Sequence, residues 1–426
     1  MKILLWKGYH SEQLLSLMRS CWQEEGLLVV CPPLLEDLSF VSLLPSGTLE
    51  FVGSWEQEAG VLEEAASRPR QPVAYPSQPV FGVFTSGTLS GTPRLVLYSK
   101  KNIESSLDGI LKFFEAGRIR TVFSYPQPFH TFGLLLGYQL SLKLGARLLT
   151  PPGRYNRVSH ELRLALKEPD TLTLGTPTHF QDLLGFVRET GQVPGATYSC
   201  IMGGAPVSAA LWRDARDILR IEAPSIGYGC TEAAPGLTHH PPGLMPEEDA
   251  EIGFPLAHLE IRPRPSGGIE FSGDSVCLAI IHEGRIEFPE RIVVRDEVRV
   301  REDGRWVFRG RCDLVLNRGG EKFSLELMER LIQAHAGLEA VCVCLPDERL
   351  GEDLGILVRG ANGADEGSIA RRLERVLLEK ANLRLNPAHV RAVAEFPLNA
   401  AAKIDRRAST EWLGARRDVA SPSNMA

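Results

Sequence analysis

The feature that most restricts the fold is an alternation, between residues 120 and 220, of short apolar runs with longer helical segments. The short runs include "TVFSY" and "TLTLGT", and the longer segments include "FGLLLGYQLSLKLG" and "THFQDLLGFVRETG". Short runs rich in β-branched and aromatic residues favour strands, whereas apolar residues at helical spacing favour helices. Strands that alternate with helices pair mostly in parallel. We therefore predict a layered α/β domain with parallel-rich sheets.

The pattern changes before and after this region. Residues 1–78 carry an amphipathic helix and a buried strand, which predict a short opening unit of a large N-terminal domain that spans 1–310. Between 250 and 310, short alternating strands and turns predict a small antiparallel β part. Two helices and three strands then predict a small α+β domain over 311–410. The small and polar residues of 411–426 predict a flexible tail.

Charge and composition exclude several classes of protein. Lys and Arg number 47 against 53 Asp and Glu, and no long block of one sign occurs, so we expect no nucleic-acid partner. No uninterrupted apolar run reaches the length of a membrane span, and the N-terminus lacks a cleavable signal, so we predict a soluble cytoplasmic protein. The eight cysteines include no CxxC pair, which favours free thiols over disulfides or a zinc site.

A stretch rich in glycine and hydroxyl side chains, "FTSGTLSGTPR" at residues 84–94, joins two predicted strands. Glycine lets backbone N–H groups turn inward and hydroxyls add donors, so such a loop can hold phosphate oxygens. The residues that would contact phosphate are Thr85, Ser86, Gly87, Thr88, Ser90, Gly91 and Arg94. A nucleotide-hydrolase P-loop is excluded, because it needs GxxxxGK[ST] before a helix. A surface hairpin made of turn residues is the alternative that this stretch alone leaves open.

Two further stretches carry groups that suit a nucleotide. In "IGYGCTEAAP", residues 226–235, Tyr228 can stack on a flat base, Thr231 can donate to phosphate and Glu232 can bind Mg²⁺. The stretch "IMGGAPVS" follows a predicted strand and opens a helix, so an adenine can lie against its backbone. Its small residues are Gly203, Gly204 and Ala205. For this stretch a tight strand–helix turn is the alternative.

Together these stretches resemble the motifs of the adenylate-forming acyl/aryl-CoA ligase and adenylation-domain superfamily. The loop at 84–94 is similar to that family's phosphate loop, TSGTTGxPKG, and its aromatic-Gly-x-Thr-Glu motif is matched by Tyr228, Gly229, Thr231 and Glu232. The stretches "PFHTFGL", "GTPTHF" and "IGFPL" occur in the order expected of the family. The segment "RDEVRVREDGRWVFRGRCD" resembles its ribose-binding and hinge region, and "PLNAAAKIDRR" resembles its C-terminal PxxxxGKxxR motif.

The resemblance implies an activity and a set of ligands. Members of the family convert a carboxylic acid and ATP to an acyl-adenylate and pyrophosphate, and then pass the acyl group to a thiol. The implied fold is a large N-terminal domain followed by a small mobile C-terminal domain. The implied ligands are ATP, Mg²⁺, CoA and a small-molecule carboxylic acid, with a carrier protein as another possible acceptor. A homodimer is left open.

The resemblance also implies roles for single residues. Lys403 would bridge the carboxylate and the α-phosphate, and Glu232 would hold Mg²⁺. Asp296 would accept hydrogen bonds from the ribose hydroxyls, with Arg311 as a second ribose or phosphate partner. Asp313 would be the hinge about which the small domain turns. Without the surrounding motifs, a solvated lysine on a mobile tail is the favoured interpretation of Lys403. An exposed residue of an ordinary turn is then an equal alternative for Asp313.

Three further residues have implied roles near the acyl and thiol groups. Gly319 and Gly320 match a strand that lines the pantetheine tunnel in the family's CoA ligases. His130 would gate the acyl pocket or the thiol entrance. For His130 the alternative is a hydrogen-bonded core histidine, because a half-buried imidazole needs a partner whatever its role.

The chain departs from the family pattern at several positions. Its phosphate loop is one residue longer than usual, and Arg94 and Leu95 stand where the family has Lys and Gly. Arg295 and Ala402 each replace a motif glycine. The opening unit is short, so the chain looks most similar to short ligases of the o-succinylbenzoate-CoA ligase kind.

The leading hypothesis is an ATP-dependent acid–thiol ligase for an aryl or aryl-alkyl acid, acting in menaquinone synthesis. One alternative is a free-standing adenylation enzyme that loads a carrier protein. Another is a degenerate relative that only binds nucleotide, which the loop substitutions favour. The presence of Glu232, Asp296 and Lys403 opposes this last alternative.

Overall fold

A computed structural model provides the structure of the chain, and most residues are described. The described residues are 1–33, 35, 37–55, 59–85, 94–153, 155–192, 194–265, 267–311, 314–359, 365–397 and 406–414. They form two compact units, a large one made of the described residues up to 311 and a small one that begins at residue 314. That the second unit is mobile stays a prediction.

The described part of the large unit contains strands β1 to β19 and α-helices α1 to α7. The strands are β1 (Lys2–Lys7), β2 (Leu27–Cys31), β3 (Thr48–Gly53), β4 (Pro79–Thr85), β5 (Arg94–Ser99), β6 (Thr121–Ser124), β7 (Arg147–Leu149), β8 (Thr171–Gly175), β9 (Thr197–Gly203), β10 (Ile221–Gly229), β11 (Gly236–His240), β12 (Glu251–Pro255), β13 (Leu259–Pro263), β14 (Ile269–Gly273), β15 (Ala279–His282), β16 (Arg285–Glu287), β17 (Arg291–Val294), β18 (Asp296–Val300) and β19 (Trp306–Arg311). The helices are α1 (Glu12–Glu24), α2 (Ala59–Ser67), α3 (Lys100–Leu111), α4 (Leu140–Leu144), α5 (Arg157–Ala165), α6 (Pro177–Thr190) and α7 (Ala209–Asp217). A π-helix, Phe132–Gln139, leads directly into α4.

Three sheets organise these strands. The first has the order β16-β15-β5-β4-β2-β1-β3, the second has the order β18-β19-β12-β11-β10-β9-β8-β6-β7, and a small antiparallel sheet has the order β13-β14-β17. In the second sheet, β7, β6, β8, β9 and β10 pair in parallel. The predicted parallel-rich α/β fold is therefore confirmed. Because parallel strands point the same way, the carboxyl ends of β6, β8, β9 and β10 meet at one edge, where ligands bind in open α/β sheets.

Helix α6 shows how local sequence sets the position of one element beside this edge. The Thr176 side chain accepts the His179 N–H, the Thr176 N–H is held by the His179 ring, and Pro177 occupies the first turn. These are the features of a strong helix start. The helix ends at Gly191, whose φ of 65° is the left-handed conformation that glycine adopts without strain.

The main hydrophobic core of the large unit lies between its two large sheets. Leu4 and Val83 of the first sheet belong to the same buried cluster as Leu172 and Ile201 of the second. Residues of α3 and of the π-helix complete that cluster, and both elements bury apolar side chains in it. Burial of this surface on both faces explains why the strands read as nearly continuous apolar runs.

The small unit is an α+β structure with its own core. Its strands are β20 (Val315–Arg318), β21 (Glu321–Ser324), β22 (Ala340–Asp347), β23 (Gly351–Arg359) and β24 (Val390–Val393), and its helices are α8 (Leu325–Ala336), α9 (Glu366–Ala381) and α10 (Arg406–Gly414). The sheet order is β21-β20-β23-β22, with β24 parallel to β23. Helices α8 and α9 share one buried cluster with the sheet, and Leu413 of α10 belongs to another.

Three observations on the described residues bear on the remaining expectations. Residues 411–414, predicted to be tail, form the end of α10 because Leu413 packs against strands β22 and β23. All cysteines in the described ranges are free, as predicted. No helix in those ranges combines the length and apolar character needed to cross a membrane.

Candidate active site

The carboxyl ends of β9 and β10 form a glycine-rich floor. Gly203 and Gly227 are partners in the parallel register, and a Cβ on Gly203 would lie 2.8 Å from the Gly227 carbonyl oxygen. A Cβ on Gly229 would lie 1.8 Å from the Pro235 carbonyl oxygen, so no larger residue fits there without a backbone shift. Gly204 is exposed and has a φ of 84°. Of the three residues predicted to border a flat ligand, Gly203 is buried, Ala205 is half-buried and Gly204 is exposed, and their role stays a prediction.

Tyr228 and Asp296 come together beside this floor. Tyr228 lies near the end of β10 and Asp296 begins β18, and the Tyr228 hydroxyl donates to Asp296 Oδ2 at 2.8 Å. Asp296 is buried to 8 % exposure, and the half-buried Tyr228 ring lies 6.2 Å from the Phe308 ring. The residues predicted to stack on the base and to bind the ribose are thus direct neighbours.

A second pair of predicted residues meets at the base of the hydroxyl-rich loop. Thr85 ends β4, Arg94 begins β5, and the two are partners in the antiparallel register. Arg94 Nη2 contacts Glu232 Oε1 at 2.8 Å, and Arg94 Nε donates to Thr85 Oγ1 at 3.4 Å. The cation predicted for phosphate is therefore paired with the carboxylate predicted for Mg²⁺.

The turn that carries Thr231 and Glu232 is held from two sides. The Tyr98 hydroxyl donates to the Thr231 carbonyl oxygen at 2.7 Å, and the Cys277 N–H donates to the Glu232 carbonyl oxygen at 2.8 Å. Tyr98 belongs to β5, and Cys277 lies just before β15, the strand that pairs with β5. The loop base and the Thr231–Glu232 turn are consequently parts of one hydrogen-bonded assembly.

The residues Glu232 and Thr231 fit a magnesium ion by their chemistry. Mg²⁺ prefers carboxylate and other oxygen ligands, and both side chains supply oxygen. The buried Glu232 carboxylate already attracts one cation, the Arg94 guanidinium, which shows that this position favours positive charge. These two residues would hold the ion if one binds.

The start of the π-helix adds aromatic side chains to the same edge. His130 is exposed, its ring lies 4.7 Å from the Phe129 ring, and Phe132 lies over Gly203. His130 therefore reaches solvent, although burial of its imidazole lowers its pKa to about 4, and its role stays a prediction. Gly133 permits this arrangement, because a Cβ there would lie 2.2 Å from the Gln127 carbonyl oxygen.

A buried polar network at the ends of β6 and β8 was not anticipated from the sequence. The Tyr155 hydroxyl donates to Asp182 Oδ2 at 3.0 Å and contacts His160 Nε2 at 2.8 Å, and the Tyr125 hydroxyl lies 3.3 Å from His160 Nδ1. The Tyr155 hydroxyl donates its single proton to Asp182, so His160 donates from Nε2 to the Tyr155 oxygen. His160 Nδ1 then accepts from the Tyr125 hydroxyl. Burial lowers the pKa of His160, consistent with this neutral form. The only local signal was the position of Tyr125 directly after a strand.

Several predicted residues are not positioned by the structure. Ser86, Gly87, Thr88, Ser90, Gly91, Asp313 and Lys403 lie outside the described residues. The backbone of Arg311 pairs with Asp296, which brings that position to the site. The roles assigned to these residues stay predictions.

Gly319 and Gly320 lie in the small unit, in the turn between β20 and β21, and not within a strand. Arg318 and Glu321 are register partners on either side of them, and the two glycines have φ values of 60° and 90°. A two-residue hairpin turn with two positive φ angles strongly favours glycine. Local turn geometry therefore explains both glycines without any ligand.

Comparison with known proteins adds a family match and several relatives. A family model described as AMP-binding enzyme matches residues 31–263. The chain is 27% identical over 371 residues to 4-chlorobenzoate–CoA ligase of Arthrobacter sp, covering 80% of this chain and 67% of that protein. It is 28% identical over 307 residues to the acyl-CoA ligase cnsG of Penicillium expansum, covering 67% of this chain and 63% of that protein. The matched region thus spans about two thirds of these relatives' lengths.

Solved structures with the same fold include a CoA synthetase and a CoA ligase. The o-succinylbenzoate CoA synthetase (MenE) of Bacillus subtilis superposes with a TM-score of 0.74 at 18% identity, covering 95% of this chain and 87% of that one. A malonyl-CoA ligase superposes with a TM-score of 0.67 at 19% identity, covering 93% of this chain and 90% of that one. At such identities these similarities establish the fold alone.

Proposed function

The chain belongs to the AMP-binding enzyme family, and from this we propose that it is an ATP-dependent acid–thiol ligase that joins a carboxylic acid to CoA. The observation that carries the proposal is the contact between Tyr228 and Asp296, 2.8 Å long, at the carboxyl end of β10, where Gly227 is the register partner of Gly203 in β9. A nucleotide site needs an aromatic ring to stack on the base and a hydrogen-bond acceptor for the ribose hydroxyls. Next to these it needs a site for the anionic phosphates. The described edge offers the first two beside the base of a hydroxyl-rich loop.

The chemistry explains why such an enzyme needs ATP. A carboxylate is a poor electrophile, because its leaving group would be an oxide. In the first step a carboxylate oxygen of the acid attacks the α-phosphorus of ATP, and the bond to the bridging oxygen of pyrophosphate breaks. In the second step the thiol sulfur attacks the acyl carbon, and AMP leaves with the former carboxylate oxygen. The protein acts mainly by alignment and charge stabilisation.

In this proposal the large unit binds the AMP half of the nucleotide. Tyr228 stacks on the base, Asp296 accepts from the ribose hydroxyls, and the backbone of Gly203 to Ala205 borders the base. Bound at Glu232 and Thr231, Mg²⁺ would offset the negative charge of the triphosphate. The hydroxyl-rich loop that follows Thr85 would hold the β- and γ-phosphates. Lys403 would neutralise charge between the carboxylate and the α-phosphate.

For the acid we propose an aryl or aryl-alkyl carboxylate, of which o-succinylbenzoate is one example. The support is the aromatic border of the edge, where Phe132 lies over Gly203 and the ring of Phe129 packs on His130. Aromatic side chains favour offset or edge contacts with an aromatic ligand. An o-succinylbenzoate substrate would assign the enzyme to menaquinone synthesis in the cytoplasm.

The test is release of pyrophosphate from ATP and Mg²⁺ with a panel of aryl, aryl-alkyl and long-chain acids. We expect aryl acids to stimulate release, and Lys403→Ala to lower the rate on the order of 100-fold, as for loss of a group that stabilises transition-state charge. Formation of an acyl-CoA, compared with loading of a phosphopantetheinyl carrier, identifies the acceptor. If no acid stimulates release above the Lys403→Ala background, the ligase proposal fails and a nucleotide-binding role takes its place.

A further inference from the structure

The ion pair between Arg94 and Glu232 gives Arg94 a role beyond phosphate binding. We propose that Arg94 is a positioning residue that occupies the Glu232 carboxylate until a divalent cation arrives, so that metal binding requires this ion pair to open. The inference rests on the proposed function, because it takes Glu232 as the magnesium ligand. It concerns an arginine that this chain has in place of the lysine of the family motif.

The contact is short and largely shielded from water. Arg94 Nη2 lies 2.8 Å from Glu232 Oε1, and the Glu232 side chain is only 10% exposed. The Arg94 side chain is 29% exposed and also donates from Nε to Thr85 Oγ1 at 3.4 Å. In the ranges that the structure describes, no other cation forms an ion pair with Glu232. A carboxylate so far removed from water requires a cation partner.

The geometry restricts which partner can move. The Glu232 backbone is fixed by the Cys277 N–H, and the neighbouring Thr231 by the Tyr98 hydroxyl. Arg94, in contrast, reaches Glu232 by a long side chain from the first residue of β5, next to the hydroxyl-rich loop. The backbone that carries Glu232 is therefore held, and rotation of the Arg94 side chain is sufficient to open the pair.

Competition for one carboxylate has a definite consequence. A guanidinium and a divalent cation cannot both occupy Glu232 Oε1, so Arg94 lowers the affinity of the empty site for metal. Phosphate groups at the loop attract Arg94 and free the carboxylate, since arginine binds phosphate oxygens strongly. By linkage, nucleotide then raises metal affinity and metal raises nucleotide affinity. Arg94 would thus make the two bind together.

The experiment measures binding of Mn²⁺, as a probe for Mg²⁺, to the full chain without nucleotide, acid or CoA. Electron paramagnetic resonance of free Mn²⁺ gives the dissociation constant directly. We expect Arg94→Gln to bind Mn²⁺ about 10-fold more tightly than the unaltered chain, because the carboxylate loses its competing cation. Arg94→Lys, which keeps the charge, should stay within about 3-fold of the unaltered chain. The double variant Arg94→Gln with Glu232→Gln should lose the gain entirely.

A matched control comes from a second ion pair that involves the segment after β5. Lys101 Nζ lies 2.8 Å from Asp274 Oδ1, but these side chains are 70% and 55% exposed. Lys101→Gln should leave Mn²⁺ binding unchanged, because an exposed carboxylate is compensated by water and salt. Should Arg94→Gln fail to fold, as judged by circular dichroism, Arg94→Met provides the same loss of charge with similar apolar packing.

The outcomes separate this inference from the proposed function. Equal Mn²⁺ affinity in Arg94→Gln and the unaltered chain would overturn the role of Arg94, whatever the enzymatic activity. Tighter binding that persists in the double variant would also overturn it, since the metal would then not be at Glu232. Absence of ligase activity, with the Mn²⁺ effect intact, would reject the ligase and keep the coupled site.

Discussion

At the scale of single residues, the contact between Tyr228 and Asp296 defines the end of the site at which we propose that the nucleotide binds. The hydroxyl of Tyr228 donates to Asp296 at 2.8 Å, and only 8% of the aspartate is exposed. A hydrogen bond to a partly buried carboxylate holds both groups in a single arrangement. The ring and the acceptor are therefore oriented before any nucleotide binds.

This arrangement predicts different effects for two substitutions of Tyr228. Tyr228→Phe keeps the ring and loses one hydrogen bond, so AMP should bind about 5-fold more weakly, equivalent to about 1 kcal/mol. Tyr228→Ala also loses stacking on the base, so its loss should be larger, by a further 1–3 kcal/mol approximately. Calorimetric titration with AMP measures both. Equal losses in the two variants would show that the ring does not stack on the base.

The buried residue His239 lies outside the site, and we expect it to make the free energy of unfolding depend on pH. It is 1% exposed, and burial, with a smaller contribution from neighbouring His240, lowers its pKa to about 3. In the unfolded chain the pKa is about 6.5. The unfolded state therefore binds a proton that the folded state excludes, and stability falls as pH falls below 6.5. The stabilisation that comes from keeping His239 neutral is therefore fully present at neutral pH.

The matching variant is His239→Phe, because Phe113 and Phe114 already surround the ring at 4.9 and 5.2 Å. Between pH 7 and pH 5, the unaltered chain should lose about 2 kcal/mol more unfolding free energy than the variant. Urea denaturation at both pH values measures the difference. Parallel losses in the two proteins would show that His239 does not titrate on unfolding.

At the scale of elements, the π-helix Phe132–Gln139 is the segment that brings aromatic residues to the site. It presses onto the chain that leaves β6, so that a Cβ on Gly133 would lie 2.2 Å from the Gln127 carbonyl oxygen and 2.3 Å from that of Pro126. Both obstacles are backbone atoms, which cannot move as a flexible side chain can. π-Helical segments in proteins are frequent at functional sites.

Two glycine-to-alanine changes test this packing. Gly133→Ala should destabilise the chain by roughly 2 kcal/mol or more, or shift the π-helix, because it overpacks a rigid contact. Gly185→Ala, in the exposed part of α6, meets nothing within 4 Å and should stabilise by about 0.5–1 kcal/mol. Thermal unfolding of both variants gives the comparison. A Gly133→Ala protein as stable as the unaltered chain would contradict the close contact.

At the scale of the whole molecule, the short opening unit is tied to the second sheet through the π-helix. The Ser11 N–H donates to the Tyr138 hydroxyl at 3.0 Å, and the His10 and Tyr138 rings stack at 5.9 Å. Ser11 is also the N-cap of α1, so one residue begins a helix of the first layer and contacts the second. The opening unit is thus directly connected to the π-helix that contributes Phe132 to the site.

The division into two units predicts that binding and chemistry can be separated. A chain that ends at residue 311 keeps Gly203, Tyr228 and Asp296 and the core between the two large sheets. It should bind AMP within about 10-fold of the full chain but release no pyrophosphate, because Lys403 is missing. Calorimetry and a pyrophosphate assay measure the two properties. Pyrophosphate release by the shortened chain would exclude an essential role for Lys403.

The amino-acid sequence by itself determined the α/β class and the family, and it supplied the residues that we propose bind the ligands. Alternation of apolar runs with helical segments requires layered parallel sheets, and local rules of capping and turns require particular residues, as at Thr176 and Gly191. Motifs such as "IGYGCTEAAP" are contiguous in the chain, so the chemical groups that they bring together can be identified from the sequence alone. Such features depend on interactions within a few residues of the chain.

Only the tertiary structure decided which of those residues meet. Arg94 pairs with Glu232 across 138 residues, and Tyr228 bonds Asp296 across 68, and both contacts depend on the order of strands in the sheets. The Tyr125, His160 and Asp182 network, and the turn that explains Gly319 and Gly320, were likewise invisible to motif reasoning. The physical reason is that short-range preferences are strong only over a turn or a strand, whereas distant contacts follow from how whole layers bury their apolar faces.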